Sequence, residues 1–169
     1  FVIYFLIKIK IFELPKKSLR VLMFHNISDY DNFKKQINLI KDTWKIINPS
    51  DFYNMVDGKK RIDGRYLLLT FDDGFKSNLI ISNKVLKKFN LSAIFFVPLK
   101  FILTKNRLEK LNFIKKNLKI KSIDKKMDSL NSKDLRKLKK LNFTIGAHTY
   151  SHINLKDISN KKKIEYEVI

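Results

Sequence analysis

A continuous apolar run, Tyr66-Leu67-Leu68-Leu69-Thr70-Phe71, leads straight into Asp72-Asp73-Gly74, and this junction constrains the fold more than any other stretch of the chain. A run of strand length without polar alternation reads as a strand buried on both faces, the pattern of parallel sheets covered by helices. Asp57-Gly58 and Asp63-Gly64 are turn signals ahead of it. Residues 78–90 then read as a helix with Ile81, Val85 and Phe89 on one face. Residues 91–97, LSAIFFV, read as a second buried strand stopped by Pro98. Strand, helix and strand within about thirty residues form a βαβ unit, which places the chain in the α/β class.

The flanking sequence extends this pattern in both directions. Residues 20–25, RVLMFH, form a short apolar run ending in His25. A helix is expected after it, capped by Asp31, with Phe33, Ile37, Ile40 and Trp44 at helical spacing. Residues 45–48 suit a short strand, and Pro49 opens another helix with Ser50 as its N-cap. Residues 105–140 carry fourteen basic side chains against four acidic ones. Leu108, Leu111, Ile114 and Leu118 keep a helical stripe through that region, so its charges read as a solvated face rather than a binding tail. Residues 132–140 read as a helix with Leu135 and Leu138 inward and a basic last turn, and residues 143–147 as a strand ending in His148.

Composition narrows the class further. The 169 residues suit one core, with 44% hydrophobic and 12% aromatic residues, which excludes a disordered or fibrous chain. The absence of cysteine excludes a disulfide framework and a thiolate zinc site. The net charge of +20 is the kind of footprint that attracts nucleic acid or an anionic membrane. The basic residues are spread along the whole chain, however, and the abundance of Lys, Ile, Asn and Phe is what AT-rich codons favour, so compositional drift is the plainer account. A start at Phe1 and a stop at Ile169 point to a piece of a longer reading frame. Residues 1–12 are too short, and too interrupted by Lys8 and Lys10, to span a membrane. Residues 1–19 are therefore set apart as an N-terminal strand, with Ile7, Ile9 and Ile11 alternating, or as the remnant of a signal or anchor segment. Residues 20–169 form the folded domain, with no repeat or linker dividing them.

Two clusters carry chemistry. Asp72 and Asp73 follow a buried strand, where open α/β sheets and barrels place their sites, and Gly74 lets the chain turn so that both carboxylates face one mouth. Two close carboxylates repel, and a bound divalent cation relieves that repulsion, one Asp ligating while the other stays free as a base. The alternative is a strand-end turn whose aspartates merely cap the next helix. The second cluster is His148-Thr149-Tyr150-Ser151-His152, again at a strand end. Histidines at i and i+4 share one face of a helical turn, a common geometry for two imidazoles on one metal. Two imidazoles and one carboxylate leave coordination positions open for water and substrate, and zinc is the default for that set, with cobalt, nickel or iron as substitutes. The acidic motif of the haloacid-dehalogenase phosphotransferases is a rival for Asp72-Asp73, but its working carboxylates are separated by one residue.

TFDDG, and HTYSH roughly seventy-five residues later, resemble the first two motifs of the NodB-homology polysaccharide deacetylases, carbohydrate esterase family 4. AIFFVP is similar to the strand after the first motif, and VLMFHNI to the first strand in one branch. The resemblance covers roughly residues 20–165. It implies an incomplete, distorted (β/α) barrel, with Asp72 as general base, Asp73, His148 and His152 as metal ligands, and Thr149 at the Ser/Thr of the second motif. It also implies an N-acetylated carbohydrate or glycolipid as substrate, with a bacterial cell envelope or the cytoplasmic face of a membrane as the setting, and membrane association fits that setting.

The family's later motifs, including the one that brings the general acid, are not found before Ile169. The expectation is therefore a domain cut after its second motif, with little activity of its own. His25, at a neighbouring strand end, is either a satisfied histidine at the core edge or a group bordering the pocket. A non-sugar amide substrate is one alternative. An inactive fragment or a basic nucleic-acid-binding protein is another, though no nucleic-acid motif or stacking platform supports the latter.

Overall fold

The computed structural model describes residues 15–124 and 126–168. The N-terminal alternation at Ile7, Ile9 and Ile11 lies outside them. Strands β1 (Ser18–Phe24), β2 (Lys45–Ile46), β3 (Arg65–Phe71), β4 (Ile94–Val97) and β5 (Thr144–Ala147) form one parallel sheet in the order β1-β3-β4-β5. β1 runs along the whole of one edge of β3. The other edge is shared: β2 pairs with its start at Tyr66 and Leu67, and β4 with its end at Thr70 and Phe71. Among the described residues β1 and β5 do not pair, so the sheet is open, as expected for an incomplete barrel.

The helices are α1 (Tyr30–Lys41), α2 (Pro49–Val56), α3 (Lys76–Ile81), α4 (Leu99–Leu103), α5 (Arg107–Lys116), α6 (Ser132–Lys140) and α7 (Lys161–Val168). They connect strands that all point the same way, so the C-terminal ends of β1, β3, β4 and β5 lie along one rim. His25, Asp72, Pro98 and His148 are the residues that immediately follow those ends. Register, and not proximity in sequence, brings them into one row.

Beneath the rim an aromatic ladder crosses the sheet. Phe24 stacks on Phe71 at 5.4 Å, Phe71 on Phe95 at 4.9 Å, and Phe143 meets the edge of Phe95 at 5.4 Å. Phe33, from α1, packs against both Phe24 and Phe71. Phe71 has no exposed surface and touches three other rings, so Phe71→Ala removes the centre of the ladder. It should cost about 3–5 kcal/mol of unfolding free energy in denaturant titration. A loss under about 1 kcal/mol would mean that the ladder does not hold the sheet.

Several boundaries differ from the sequence expectation, each for a local reason. α1 is capped by Asp29, whose side chain accepts from Asn32 N–H, and Asp31 sits in the first turn instead. α2 opens at Pro49 as expected, but its N-cap is Asn48 rather than Ser50. The expected helix over residues 78–90 is α3 followed by a π turn, Ser82–Leu86. The side chains of Ser82 and Asn83 both donate to the Leu79 carbonyl, competing for the acceptor that an α-helix would give to Asn83 N–H. The expected stripe in α5 holds at Ile114, which is buried, and fails at Leu108, which is 71% exposed, while Phe113 is buried beside Ile114. Those two pack with Phe75 and Phe101 into a second, smaller core, in which Phe101 and Phe113 stack at 4.9 Å. That core lies directly behind the Asp72-Asp73-Gly74 turn, because Phe75 is the next residue.

Candidate metal centre

The turn after β3 is built from two successive left-handed residues, Asp73 (φ 68°) and Gly74 (φ 67°). Gly74 is required twice over. Its φ disfavours a side chain, and a Cβ there would meet Ile102 Cδ1 at 3.0 Å and Val97 Cγ1 at 3.2 Å. The turn is held from both sides. Asp72 N–H donates to the Phe24 carbonyl of β1 at 2.8 Å, while Leu130 N–H donates to the Gly74 carbonyl at 2.8 Å. Both carboxylates are thereby fixed at the rim, and both residues are buried.

The histidine segment reaches the same place by another route than expected. Residues 148–152 form no helical turn; the chain is irregular there, with Thr149 (φ 56°) and His152 (φ 59°) left-handed. Those two reversals bring the imidazoles together, with ring centroids 4.8 Å apart. His152 Nε2 lies 3.2 Å from Asp73 Oδ1, and His148 Nε2 lies 3.7 Å from the same oxygen and 4.0 Å from Asp72 Oδ2. One ligand atom each from Asp73, His148 and His152 falls within a 4.8 Å span. Asp72 stands beside this set.

The chemistry of the set fits a divalent cation. His152 Nδ1 is 2.9 Å from the backbone carbonyl of Asn117. That carbonyl and the Asp73 carboxylate, 3.2 Å from Nε2, both only accept, so a neutral ring serves one of them with its single proton; with the proton on Nδ1, the bare Nε2 turns toward the carboxylate oxygen. Lone pair faces lone pair there, an arrangement that a cation between them makes favourable. Oδ1 of Asp72 and Oδ1 of Asp73 are both buried without a hydrogen-bond donor, which a cation or its water would satisfy.

Protonation follows the same geometry. Burial pushes the Asp72 carboxyl above its ordinary value, with His148 and His25 pulling the other way. Burial also lowers His148, whereas the contact with Asp73 raises His152 above 6.5. Protons therefore compete with a cation mainly at His152. Cation affinity should fall as pH drops through the elevated His152 value, and rise to a plateau above it, with proton release on binding. Chelator-competition titrations between about pH 6 and 9 would read this, and an affinity flat across that range would contradict it.

His25 sits just past β1, exposed, and is not in the three-ligand set. Thr149 contributes its backbone reversal, and its Oγ1 is buried without a partner. A cavity of about 270 Å³ opens beside the histidines, lined by Asn117, Leu118, Lys119, Ile153 and Asn154 as well as His148, Thr149 and His152. Asn117 was invisible to sequence reasoning, since it acts partly through a backbone carbonyl, which no residue pattern marks.

The polysaccharide deacetylase family model matches residues 59–168. No curated protein sequence matches the chain. Among solved structures, IcaB from Ammonifex degensii is similar over 79% of this chain and 54% of its own, at 20% identity and a TM-score of 0.64. The Streptococcus pyogenes deacetylase PplD, solved with acetate, is similar over 91% of this chain and 65% of its own, at 15% identity and a TM-score of 0.63. A de-N-acetylase from Aggregatibacter actinomycetemcomitans is similar over 78% of this chain and 55% of its own, at 16% identity and a TM-score of 0.59. These likenesses are of fold, and the chain spans a little over half the length of IcaB and of the Aggregatibacter de-N-acetylase and about two thirds of PplD.

Proposed function

The chain belongs to the polysaccharide deacetylase family, and on that premise we propose that it serves metal-dependent hydrolysis of acetyl groups from N-acetylated sugars of a polysaccharide or glycolipid. The observation that carries the reading is the convergence of Asp73 Oδ1 with the Nε2 atoms of His148 and His152, next to the buried carboxylate of Asp72. In this reading Asp73, His148 and His152 hold a divalent cation, zinc by default for two imidazoles and one carboxylate. The cation, when bound, supplies polarisation of the acetyl carbonyl and a lowered pKa for the attacking water.

The remaining work belongs to the chain. Asp72 takes the proton of the water; its raised pKa makes it a stronger base than an exposed aspartate, and its Oδ1 has no competing donor. The turn that fixes Asp72 and Asp73 to β1 and to residue 130 keeps both oxygens in place without reorganisation during the reaction. The open cavity beside the histidines is where an acetylated sugar would enter. Protonation of the departing amine needs an acid. Outside the ligand set, His25 at the end of the neighbouring β1 is a candidate for it, and His25→Ala tests that role.

The test is acetate release from N-acetylglucosamine oligomers, with zinc or cobalt supplied and then removed by chelator, on this chain and on a form extended downstream. Chelator-sensitive release supports the reading. Metal-loaded protein that releases acetate from neither form sinks it, and release from a simple amide but not from the sugar would move the substrate to the non-sugar class. Salt-dependent binding to RNA that ignores chelator would favour a nucleic-acid role instead.

A further inference from the structure

The segment from His148 to Asn154 belongs to no helix or strand, yet it must hold two imidazoles against one carboxylate oxygen. Its backbone works against that task. Thr149 and His152 both sit in the left-handed region, which side-chain-bearing residues, β-branched Thr149 above all, hold only where the surroundings over-determine it. Ser151, between them, is gripped on three sides. Its N–H donates to Glu167 Oε2 at 2.8 Å and its hydroxyl to Glu167 Oε1 at 2.7 Å, while its carbonyl accepts from Asn117 Nδ2 at 2.8 Å. Tyr150 is fixed through its backbone, donating to the Glu167 carbonyl at 2.8 Å and accepting from Lys100 N–H at 2.9 Å.

Asn117 has a second role in the same contact. Its own carbonyl meets His152 Nδ1 at 2.9 Å, so one residue grips the loop with its side chain and offers the imidazole Nδ1 an acceptor with its backbone. It is well placed to be rigid. It is the C-cap of α5, its N–H donates to the Phe113 carbonyl, and Phe113 is packed in the smaller core behind the Asp72-Asp73 turn. Glu167, on α7, is buried with both oxygens occupied by Ser151.

We propose that Asn117 and Glu167 are positioning residues: together they hold the Tyr150-Ser151-His152 loop in its metal-ready shape, and Asn117 keeps the proton of His152 on Nδ1. This rests on the metal reading of the Asp73, His148 and His152 set, and its test separates the two. The loop is strained and has no ladder of its own, so its ordering is supplied by these contacts. Loss of either one should loosen the imidazoles before it unfolds the chain. Groups that orient metal ligands from behind typically contribute 10–100-fold to affinity.

The experiment compares wild type, Asn117→Ala and Glu167→Gln, with zinc affinity measured by chelator competition. Imidazole proton–nitrogen correlation spectra of the metal-free proteins are recorded at a pH where the rings are neutral, together with thermal unfolding. Asn117→Ala keeps the carbonyl of residue 117 but frees Ser151 from the side-chain amide, so it should weaken zinc by about 10–100-fold and, as the ring loosens from that carbonyl, lower the Nδ1–H fraction of His152; Glu167→Gln should weaken zinc in the same direction. Unchanged affinity with an unchanged His152 tautomer in Asn117→Ala would overturn the proposal, as would a fall in melting temperature alone. Should Asn117→Ala fail to fold, Asn117→Asp replaces the amide donor by a carboxylate that repels the Ser151 carbonyl, and carries the same expectation. A wild type that binds no divalent metal would sink the functional reading, and the tautomer spectra would then decide the brace by themselves.

Discussion

Asp73→Asn should cost the chain its metal, with affinity down more than about 100-fold, beyond the 10–100-fold typical of groups behind a ligand. The metal-free protein should nonetheless be as stable as the parent or more so. The two halves of this result have separate causes. An amide is nearly isosteric with the carboxylate, and asparagine is among the residues that best tolerate the left-handed backbone at position 73 (φ 68°), so the turn survives. What disappears is the negative oxygen on which both imidazoles converge. Its removal also takes one of two like charges out of a buried site in which neither Oδ1 has a hydrogen-bond donor. Elemental analysis together with thermal unfolding of metal-free protein reads both halves. Metal retained at parental affinity would remove Asp73 from the ligand set, and a marked loss of stability would mean that its carboxylate serves the fold.

Asp72→Asn should behave in the opposite sense: metal held within a few-fold of the parent, and deacetylation reduced by about 10²–10⁴-fold, the range that acid–base assistance typically supplies. Asp72 lies outside the three-ligand set, with His148 Nε2 4.0 Å from its Oδ2, so its loss leaves the ligands in place. An amide cannot take a proton from water, so turnover falls with kcat rather than with metal occupancy. The comparison needs a form with measurable turnover, whether this chain or one extended downstream. In metal-free protein the same change should stabilise. Burial raises the folded pKa of Asp72 above its unfolded value of 3.8, so ionisation opposes folding as pH climbs past that point, and the amide escapes the penalty. If Asp72→Asn lost metal and Asp73→Asn kept it, the two roles would be reversed.

The sequence alone determined that residues 66–71 form a buried strand and that a sharp turn follows. Burial of a continuous apolar run and the left-handed freedom of Gly74 are properties of the residues themselves. The same holds for α6, whose inward Leu138 and basic last turn were legible from spacing and charge. The two aspartates and two histidines were legible as residue types with matching chemistry.

Tertiary structure decided how those side chains meet. The histidines were expected on a helical turn, yet they converge through two left-handed residues in an irregular loop, because Asn117 and Glu167 outweigh the local preference of the backbone. In α5 the spacing placed both Leu108 and Ile114 inward, but only Ile114 is buried, and Phe113 turns inward beside it because Phe75 and Phe101 offer rings to pack against. Which orientation wins there depends on partners more than ten residues away. The carbonyl that sets the tautomer of His152 belongs to a backbone group that every residue possesses, so only the path of the chain could select it.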